Sequence, residues 1–263
     1  MTEIHPEILK AFDLLNQHDI GPEQLYEQWW SGPRSSVYLA SLPKEMHPTV
    51  SSRYLFSDGS DEIHSVGEFA VRVKIGEVIH HGDGTAAIQR WKSWSSSAFT
   101  WRQGKCPMIF PRGRQLMRCY IPTQDRAINF LVDSLADRLD QKLIPFQFKY
   151  RREIATYHDA LVIWFEPNDF EKLSEVVNQA FSGADSLTSP PPLTFISGVG
   201  GYSEQRADGS SLGWTYSTLF WSLSKSADKT EWPRVLAAHK INSKEPWKIK
   251  SEVSHIWETN TND

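Results

Sequence analysis

The segment IPFQFKYRREIATYHDALVIWF, residues 144–165, places a burst of cationic and imidazole side chains between two apolar runs. Lys149 and two arginines follow the first run, and Tyr157 with His158 precedes the second. Burial and neighbouring arginines lower the pKa of a lysine from about 10.4 toward neutrality, which makes it a candidate general base. Arginine guanidinium groups match phosphate oxygens two at a time. These residue types are therefore consistent with β-elimination of phosphate from phosphoserine or phosphothreonine.

Each step of such an elimination has a candidate residue. A base removes the α-proton, and Lys149 is predicted to be this base. An acid helps the phosphate to leave, and His158 is predicted for this role because an unperturbed imidazole has a pKa of about 6.5. Tyr157 takes the role if the hairpin turns His158 outward. The predicted phosphate ligands are Arg118, Arg151, Arg152 and Arg206.

Side chains alternate across a strand, so the residues of 144–151 divide between two faces. One face carries Ile144, Phe146, Phe148 and Tyr150, and the other carries Gln147, Lys149 and Arg151. Lys149 is therefore expected on a polar strand face beside a core. An alternative interpretation is a solvated edge strand, whose basic residues only prevent aggregation.

The elements that position these residues are predicted by the pattern from residue 115 onward. Strands are expected over 115–121, 144–151, 160–165 and 192–197, and helices over 123–143 and 168–181. Thr123 is a predicted N-cap of the first helix, and Asn168 with Glu171 has capping-box spacing at the second. The order β-α-β-β-α-β is that of a split βαβ, ferredoxin-like core.

The N-terminal part has two different patterns. Apolar residues have helical spacing over 6–18, and an aromatic segment follows. Residues 67–103 alternate as an antiparallel sheet with a turn at HHGDGT. Its adjacent His80 and His81 lack the spacing of a metal site, so we expect a solvated hairpin tip there.

These patterns together predict an α+β fold. N-terminal helices and an antiparallel sheet, residues 1–110, are expected to pack on the ferredoxin-like core, residues 111–263. The two parts form one compact unit or two closely joined ones.

Composition and charge argue against several classes of protein. The net charge of −4 and the isoelectric point near 6.1 disfavour a nucleic-acid-binding domain, which is usually basic. No apolar run reaches about eighteen residues, and the N-terminal segment is unlike a signal peptide, so we expect no membrane association and a cytoplasmic location. Cys106 and Cys119 are expected to be buried thiols. No metal or other cofactor is expected.

Six segments between about residues 110 and 250 share their order and spacing with a known family. The segments are MRCYIP, LVDSLADRLDQKLIPFQFKY, YHDALVIWF, PPPLTFISGVGGYSEQ, DGSSLGW and EPWKI. They resemble the HopA-type effector family, known from a plant-pathogen type III effector and from the lyase components of class V lanthipeptide and thioamitide biosynthesis. The most specific parts are the Ile-Pro-Phe segment with Lys149 and the segment from Gly198 to Glu204.

The resemblance implies several functional positions. The matched positions are Arg118, Lys149, Asp159 and Glu204. Lys149 is the base that the resemblance implies. Two positions depart from the family pattern, since Tyr157 and Tyr216 stand where arginines are usual.

Two functions remain open from the sequence. The first is a metal-independent lyase that eliminates phosphate from a precursor peptide to give dehydroamino acids in ribosomal peptide maturation, with or without a separate kinase partner. The second is a non-catalytic, lyase-like module that binds a precursor peptide or a partner kinase. Strand addition to the tryptophan-rich sheet at 91–101 is one way to bind such a peptide.

Overall fold

The structure is a computed structural model that describes most of the chain. The described residues are 4–32, 38–39, 49–59, 61–66, 69–89, 91–95, 99–104, 116–123, 125, 127–151, 153–154, 157–184, 189–205, 210–226, 230–239 and 241–248. Cys106, Arg152 and Arg206 lie outside these ranges, and so do the predictions made for them.

The described residues contain six α-helices. They are α1 (Pro6–His18), α2 (Pro22–Leu25), α3 (Ile128–Gln141), α4 (Phe170–Phe181), α5 (Leu212–Ser226) and α6 (Trp232–Ala238). A π-helical turn, Tyr26–Trp30, continues α2. The helix predicted over 6–18 is confirmed, because its apolar residues Ile8, Phe12 and Leu15 form one buried face.

The strands form two larger antiparallel sheets and one short pairing. They are β1 (Tyr38–Leu39), β2 (Thr49–Asp58), β3 (Asp61–Val66), β4 (Phe69–Lys74), β5 (Val78–His80), β6 (Thr85–Gln89), β7 (Trp91–Ser95), β8 (Phe99–Gly104), β9 (Met117–Ile121), β10 (Gln147–Arg151), β11 (Glu153–Ile154), β12 (Leu161–Phe165), β13 (Phe195–Ser197) and β14 (Gly200–Glu204). The seven-stranded sheet has the order β13-β14-β9-β12-β10-β8-β7, the five-stranded sheet has the order β4-β3-β2-β6-β5, and β1 pairs with β11. The predicted α+β class is confirmed.

The strand that carries Lys149 lies inside the seven-stranded sheet. In β10, Lys149 pairs with Trp101 of β8 on one side and with Val162 of β12 on the other. The predicted pairing of 144–151 with 160–165 is confirmed. The edge-strand interpretation is wrong, because β10 has a hydrogen-bonded neighbour on both sides.

Apolar clusters cover both faces of the seven-stranded sheet. On one face, α3 and α4 pack on alternate residues of β9, β10 and β12, including Phe148, Tyr150 and Ile163. On the other face, α1, the π-helical turn, α5 and α6 pack on Tyr120 and Val162, among others. The sheet is therefore a central layer, and Lys149 lies on the face of the second cluster, as its pairing with Val162 requires.

Both predicted helix caps are wrong. Helix α3 begins at Ile128 rather than near Thr123, whose hydroxyl accepts a hydrogen bond from the amide of Asp125. Asp125 in turn accepts from the amide of Ala127, so a local turn precedes the helix. Helix α4 begins at Phe170 and has no side-chain cap, because the residues before it form a 3-10 turn.

The five-stranded sheet contains the predicted turn at HHGDGT. Asp83 accepts hydrogen bonds from both the amide and the hydroxyl of Thr85, and His81 is exposed. The prediction for His80 is only partly right, since its Nε2 lies 3.1 Å from Glu62 Oε1 across the sheet. Glu62 also contacts the buried His64, with 2.7 Å between Oε2 and Nε2. A short-range sequence pattern cannot show this contact between side chains of two separate strands.

None of the described helices has both the length and the apolar character needed to cross a membrane.

Candidate functional site

The Lys149 amine is surrounded by aromatic rings on the sheet face. Its Nζ lies 4.1 Å from the ring centroid of Phe99, 5.5 Å from that of Trp101 and 5.8 Å from that of Trp164. Trp101 and Trp164 stack on each other, with their centroids 5.5 Å apart. Among the described residues, none accepts a hydrogen bond or forms an ion pair with this amine. Within the part of the chain that the structure describes, the immediate surroundings of this amine are therefore aromatic.

The pKa of Lys149 is lowered to about 8. Burial is the largest cause, because the charged ammonium loses solvation in these surroundings. Asp159 opposes the change, whereas the positive charges of Arg118 and Arg151 add to it. A fraction of roughly a tenth of the amine is then neutral at pH 7, against less than a thousandth for an ordinary lysine.

Arg151 lies two residues further along β10 on the same face as Lys149. Its guanidinium carbon is 4.1 Å from the ring centroid of Tyr157 and 5.1 Å from that of Phe99. One terminal nitrogen lies 3.3 Å from Asp159 Oδ1. Its Nε is buried and has no hydrogen-bond acceptor among the described residues. Arg151 therefore keeps donor capacity that an anion could use.

Asp159 connects Arg151 to the N-terminal part of the chain. Its carboxylate is buried and accepts a hydrogen bond of 2.9 Å from the hydroxyl of Tyr26 and a longer one of 3.5 Å from that of Ser31. Burial and the nearby Asp159 carboxylate raise the pKa of Tyr26 far above its ordinary value. Tyr26 therefore stays protonated, and its hydroxyl remains a donor to Asp159 at working pH.

Arg118 lies on β9, on the same face as Lys149. Its Nε donates to Gln205 Oε1 over 2.6 Å, and a terminal nitrogen donates to the carbonyl of Ser210 over 3.1 Å. Its guanidinium carbon is also 5.5 Å from the ring centroid of Trp164. Gln205 Oε1 accepts a second hydrogen bond, of 2.8 Å, from Trp164 Nε1. Gln205 therefore holds both Arg118 and the Trp164 ring, which also lies near the Lys149 amine.

His158 and Tyr157 differ in their placement. His158 Nδ1 donates to the carbonyl of Ser189 over 2.7 Å, and its backbone amide donates to the carbonyl of Ser31. The part of the chain that the structure describes shows no contact between His158 and Lys149. Tyr157 is buried beneath the Arg151 guanidinium. Tyr157 therefore lies in the site beside Arg151. The His158 ring is instead held by the segment that contains Ser189.

Two further residues implied by the family resemblance, Glu204 and Tyr216, are not among the groups found around Lys149. Glu204 pairs with Met117 on β14, so strand alternation places it on the opposite face of the sheet. Tyr216 is fully buried, stacks on Phe220 and donates its hydroxyl to the carbonyl of Pro246. The position where an arginine is usual in the family is therefore part of the apolar core in this chain.

Several site residues were missed by the sequence analysis. The aromatic surroundings of Lys149 come from β8 and β12, and Tyr26 and Gln205 come from distant segments. Strand β14 was also missed, since its GGYSE sequence reads as a turn. Its glycines are needed for close packing, because a Cβ on Gly201 would lie 2.4 Å from Pro190. The alternation of aromatic residues around Trp101 is the one local sequence pattern that indicates the aromatic surroundings of Lys149.

A cleft of about 480 Å³ opens beside Arg151. Its buried lining includes Ser31 and Tyr157, and its exposed lining includes Glu23, Glu27 and Trp214. The cleft lies where the π-helical turn meets the start of α5. Gly213 allows this approach, because a Cβ at that position would lie 2.4 Å from the ring of Trp30.

The described residues contain no cluster of three or more His, Cys, Asp and Glu side chains that could hold a metal ion. Cys119 is a free, buried thiol whose pKa is raised to about 12 by burial. It lies in the apolar cluster of α3 and α4, on the opposite face from Lys149. The prediction of a buried thiol at 119 is confirmed.

Comparison with solved structures finds similarities that include two bacterial effector proteins. An effector protein from Pseudomonas syringae pv. tomato strain DC3000 is 16% identical with a TM-score of 0.48, and the match covers 58% of this chain and 63% of that one. An effector protein from Pseudomonas syringae pv. syringae strain 61 is 16% identical over the same shares, with a TM-score of 0.39. This chain thus spans less than two thirds of either effector. No family model and no curated protein matches the sequence.

Proposed function

We propose that the protein is a lyase that eliminates phosphate from phosphoserine or phosphothreonine in a peptide, with Lys149 as the base. One observation carries the proposal. The Lys149 amine lies on one sheet face with Arg118 and Arg151, in aromatic surroundings, and burial lowers its pKa to about 8. The segments that resemble HopA-type lyases add support.

The reaction uses few protein groups. The neutral amine of Lys149 takes the α-proton of the phosphorylated residue, and the electron pair of that C–H bond forms the Cα=Cβ bond. The Cβ–O bond breaks, and phosphate leaves with the bonding electrons. The products are a dehydroamino acid in the peptide and inorganic phosphate. Lys149 returns its proton to solvent before the next cycle.

The phosphate is held by Arg151, whose buried Nε has no acceptor among the described residues. The Cα atoms of residues two apart on one strand are about 6.6 Å apart. A phosphorylated residue can therefore present its α-proton to Lys149 while its phosphate contacts Arg151. Arg118 adds positive charge that acts on Lys149 and lowers its pKa. Arg152 and Arg206 are retained as further candidate phosphate ligands from the sequence.

Tyr157 is the proposed acid, in place of His158. The centroid of the Tyr157 ring lies 4.1 Å from the guanidinium carbon of Arg151, which is the residue proposed to bind the phosphate. The Tyr157 hydroxyl therefore belongs to a residue in contact with Arg151. His158 Nδ1 is instead held by the carbonyl of Ser189. Proton donation to the leaving phosphate then comes from the phenol, and the hydroxyl is reprotonated from solvent.

Mass spectrometry of a synthetic phosphothreonine peptide tests the proposal. The wild-type protein should convert it to a product lighter by one phosphoric acid, and the new alkene should capture an added thiol. Lys149→Ala should lose this activity at least 100-fold and still bind the peptide, because a base acts in the transition state. Lys172→Ala, an exposed lysine of α4 on the opposite face of the sheet, is the matched control. Full activity in Lys149→Ala would show that the assigned base is wrong.

A binding module without catalysis is the second candidate. One observation favours it: β7 is an edge strand of the seven-stranded sheet as described, so an extended peptide can add to it. A peptide on β7 would lie three strand spacings, about 14 Å, from β10, too far to present its α-proton to Lys149. Binding that persists without any elimination, and that is lost when a proline is placed in β7, would favour this candidate.

The proposed partner is a precursor peptide.

We also infer that the central part of the chain is a split βαβ, ferredoxin-like core. The strand order β14-β9-β12-β10, antiparallel throughout, supports this inference. Helix α3 follows β9 in the chain and helix α4 follows β12, and both pack on one face of the sheet.

A further inference from the structure

The cleft beside Arg151 has the size and the position to hold part of a bound peptide. Its volume of about 480 Å³ lies in the usual range for ligand sites. Arg151 and Tyr157 line the cleft, and these two residues contact each other in the proposed phosphate site. A peptide whose phosphate reaches Arg151 therefore has neighbouring side chains within the cleft.

The positive and negative charges of the cleft lie at different depths. Arg151 is mostly buried, with 16% of its side chain exposed, and its charge is partly balanced by Asp159. Glu23 and Glu27 are exposed and lie one helical turn apart, so both carboxylates face the same side of this segment. An anion is therefore favoured at the inner end, and a cation is favoured at the outer end.

An aromatic ring completes the outer end. Trp214 is 46% exposed and lies in edge contact with Tyr26, with 6.3 Å between the ring centroids. A tryptophan face attracts a cation, and Arg and Lys side chains also pack their aliphatic parts on such a ring. Two carboxylates and an indole are the groups that recognise a basic side chain.

We propose that this cleft binds a lysine or arginine side chain of the substrate peptide, a few residues from the phosphorylated residue, through Glu23, Glu27 and Trp214. The proposal rests on the proposed function, since the phosphate contact with Arg151 places the peptide at the cleft. It predicts that the protein selects phosphopeptides with a nearby basic residue.

The probe is a set of fluorescein-labelled phosphothreonine peptides in a Gly/Ser background. Each peptide carries a single lysine at one of the four positions on either side of the phosphothreonine, and norleucine replaces the lysine in the matched peptide. Fluorescence anisotropy measures Kd with the full-length Lys149→Ala protein, so that the peptide is not consumed. We expect one or two positions at which lysine binds about 10-fold tighter than norleucine.

Variants of the cleft identify the source of this preference. Glu23→Gln with Glu27→Gln should reduce the preference to less than 2-fold, whereas Glu171→Gln, an exposed glutamate of α4, should leave it unchanged. Glu23→Lys with Glu27→Lys should instead prefer a peptide with glutamate at the same position. Equal Kd values for lysine and norleucine at all eight positions would overturn the proposal, and so would a preference that survives both double variants.

The test separates this proposal from the proposed function. If wild type eliminates phosphate from all peptides at equal rates and Kd does not depend on lysine, only the basic-residue site is wrong. If the lysine preference is found and depends on Glu23 and Glu27, but no peptide loses phosphate, the site stands and the lyase assignment is wrong.

Discussion

Lys149 illustrates how opposing effects set the state of a single side chain. Contacts with three aromatic rings stabilise an ammonium by roughly 0.5–2 kcal/mol, which would keep the proton on the amine. Burial and the charges of Arg118 and Arg151 act in the other direction and outweigh Asp159. The net result is a pKa of about 8. Lys149 is therefore partly neutral near pH 7.

The proposed elimination should depend on pH with a definite sign. Only the neutral amine of Lys149 can accept the α-proton, and the neutral fraction grows as pH rises through its pKa of about 8. We therefore expect kcat/KM for a phosphothreonine peptide to rise nearly 10-fold per pH unit below pH 7.5 and to level off above pH 9. Phosphate is already a dianion across most of this range, since its second pKa is about 6.

Initial rates between pH 6.5 and 9.5 give this profile. The profile should shift to lower pH when Asp159 is replaced by asparagine, because the carboxylate raises the pKa of Lys149. A rate that is constant from pH 7 to 9, or that falls over this range, is incompatible with Lys149 as the base.

At the scale of the elements, local sequence patterns predict the strand that carries Lys149 but not its surroundings. The alternation of Phe146, Phe148 and Tyr150 correctly predicts that these three side chains share one buried face, because alternation is a property of the strand itself. The neighbour β8 is about 45 residues earlier in the chain, and no local periodicity encodes that pairing. Helix starts were misplaced for a related reason, since turn residues such as Asp125 compete for the same backbone amides.

The π-helical turn is expected to act on the site through Tyr26. Removing its hydroxyl in Tyr26→Phe leaves Asp159 Oδ2 without this donor, which costs about 1–3 kcal/mol of folding free energy. Asp159 then holds Arg151 less firmly, so KM for a phosphopeptide should rise several-fold. The Kd for the unphosphorylated peptide should change much less, because Arg151 contacts the phosphate in the proposed complex.

Tyr54→Phe is the control for this effect. The Tyr54 hydroxyl also makes a hydrogen bond, to Ser57 in the five-stranded sheet, but it is exposed. Thermal unfolding and KM are measured for both variants. Tyr26→Phe kinetics identical to those of Tyr54→Phe would show that the link through Asp159 does not position Arg151.

At the scale of the whole molecule, segments on both sides of residue 110 build the seven-stranded sheet and the cluster on its Lys149 face. Strands β7 and β8 precede residue 110, yet β8 pairs with β10 in the seven-stranded sheet. The cluster on the Lys149 face joins α1 and the π-helical turn to α5 and α6. Phe99 and Tyr26, which contact Lys149 and Asp159, also come from the N-terminal part. The site is therefore completed by segments on both sides of residue 110.

A fragment of residues 111–263 should neither fold cooperatively nor eliminate phosphate. Without the N-terminal part, β10 loses its partner β8, and five buried side chains of the shared cluster lose their cover: Tyr120, Val162, Trp164, Tyr216 and Phe220. At about 1.5–3 kcal/mol for each side chain, this loss is comparable with the 5–15 kcal/mol that stabilises a typical domain. Circular dichroism during thermal unfolding should show a broad, non-cooperative change for the fragment and a sharp one for the full chain. A fragment with a sharp transition and normal elimination activity would mean that the N-terminal part is dispensable, and that neither Phe99 nor Tyr26 contributes to the reaction.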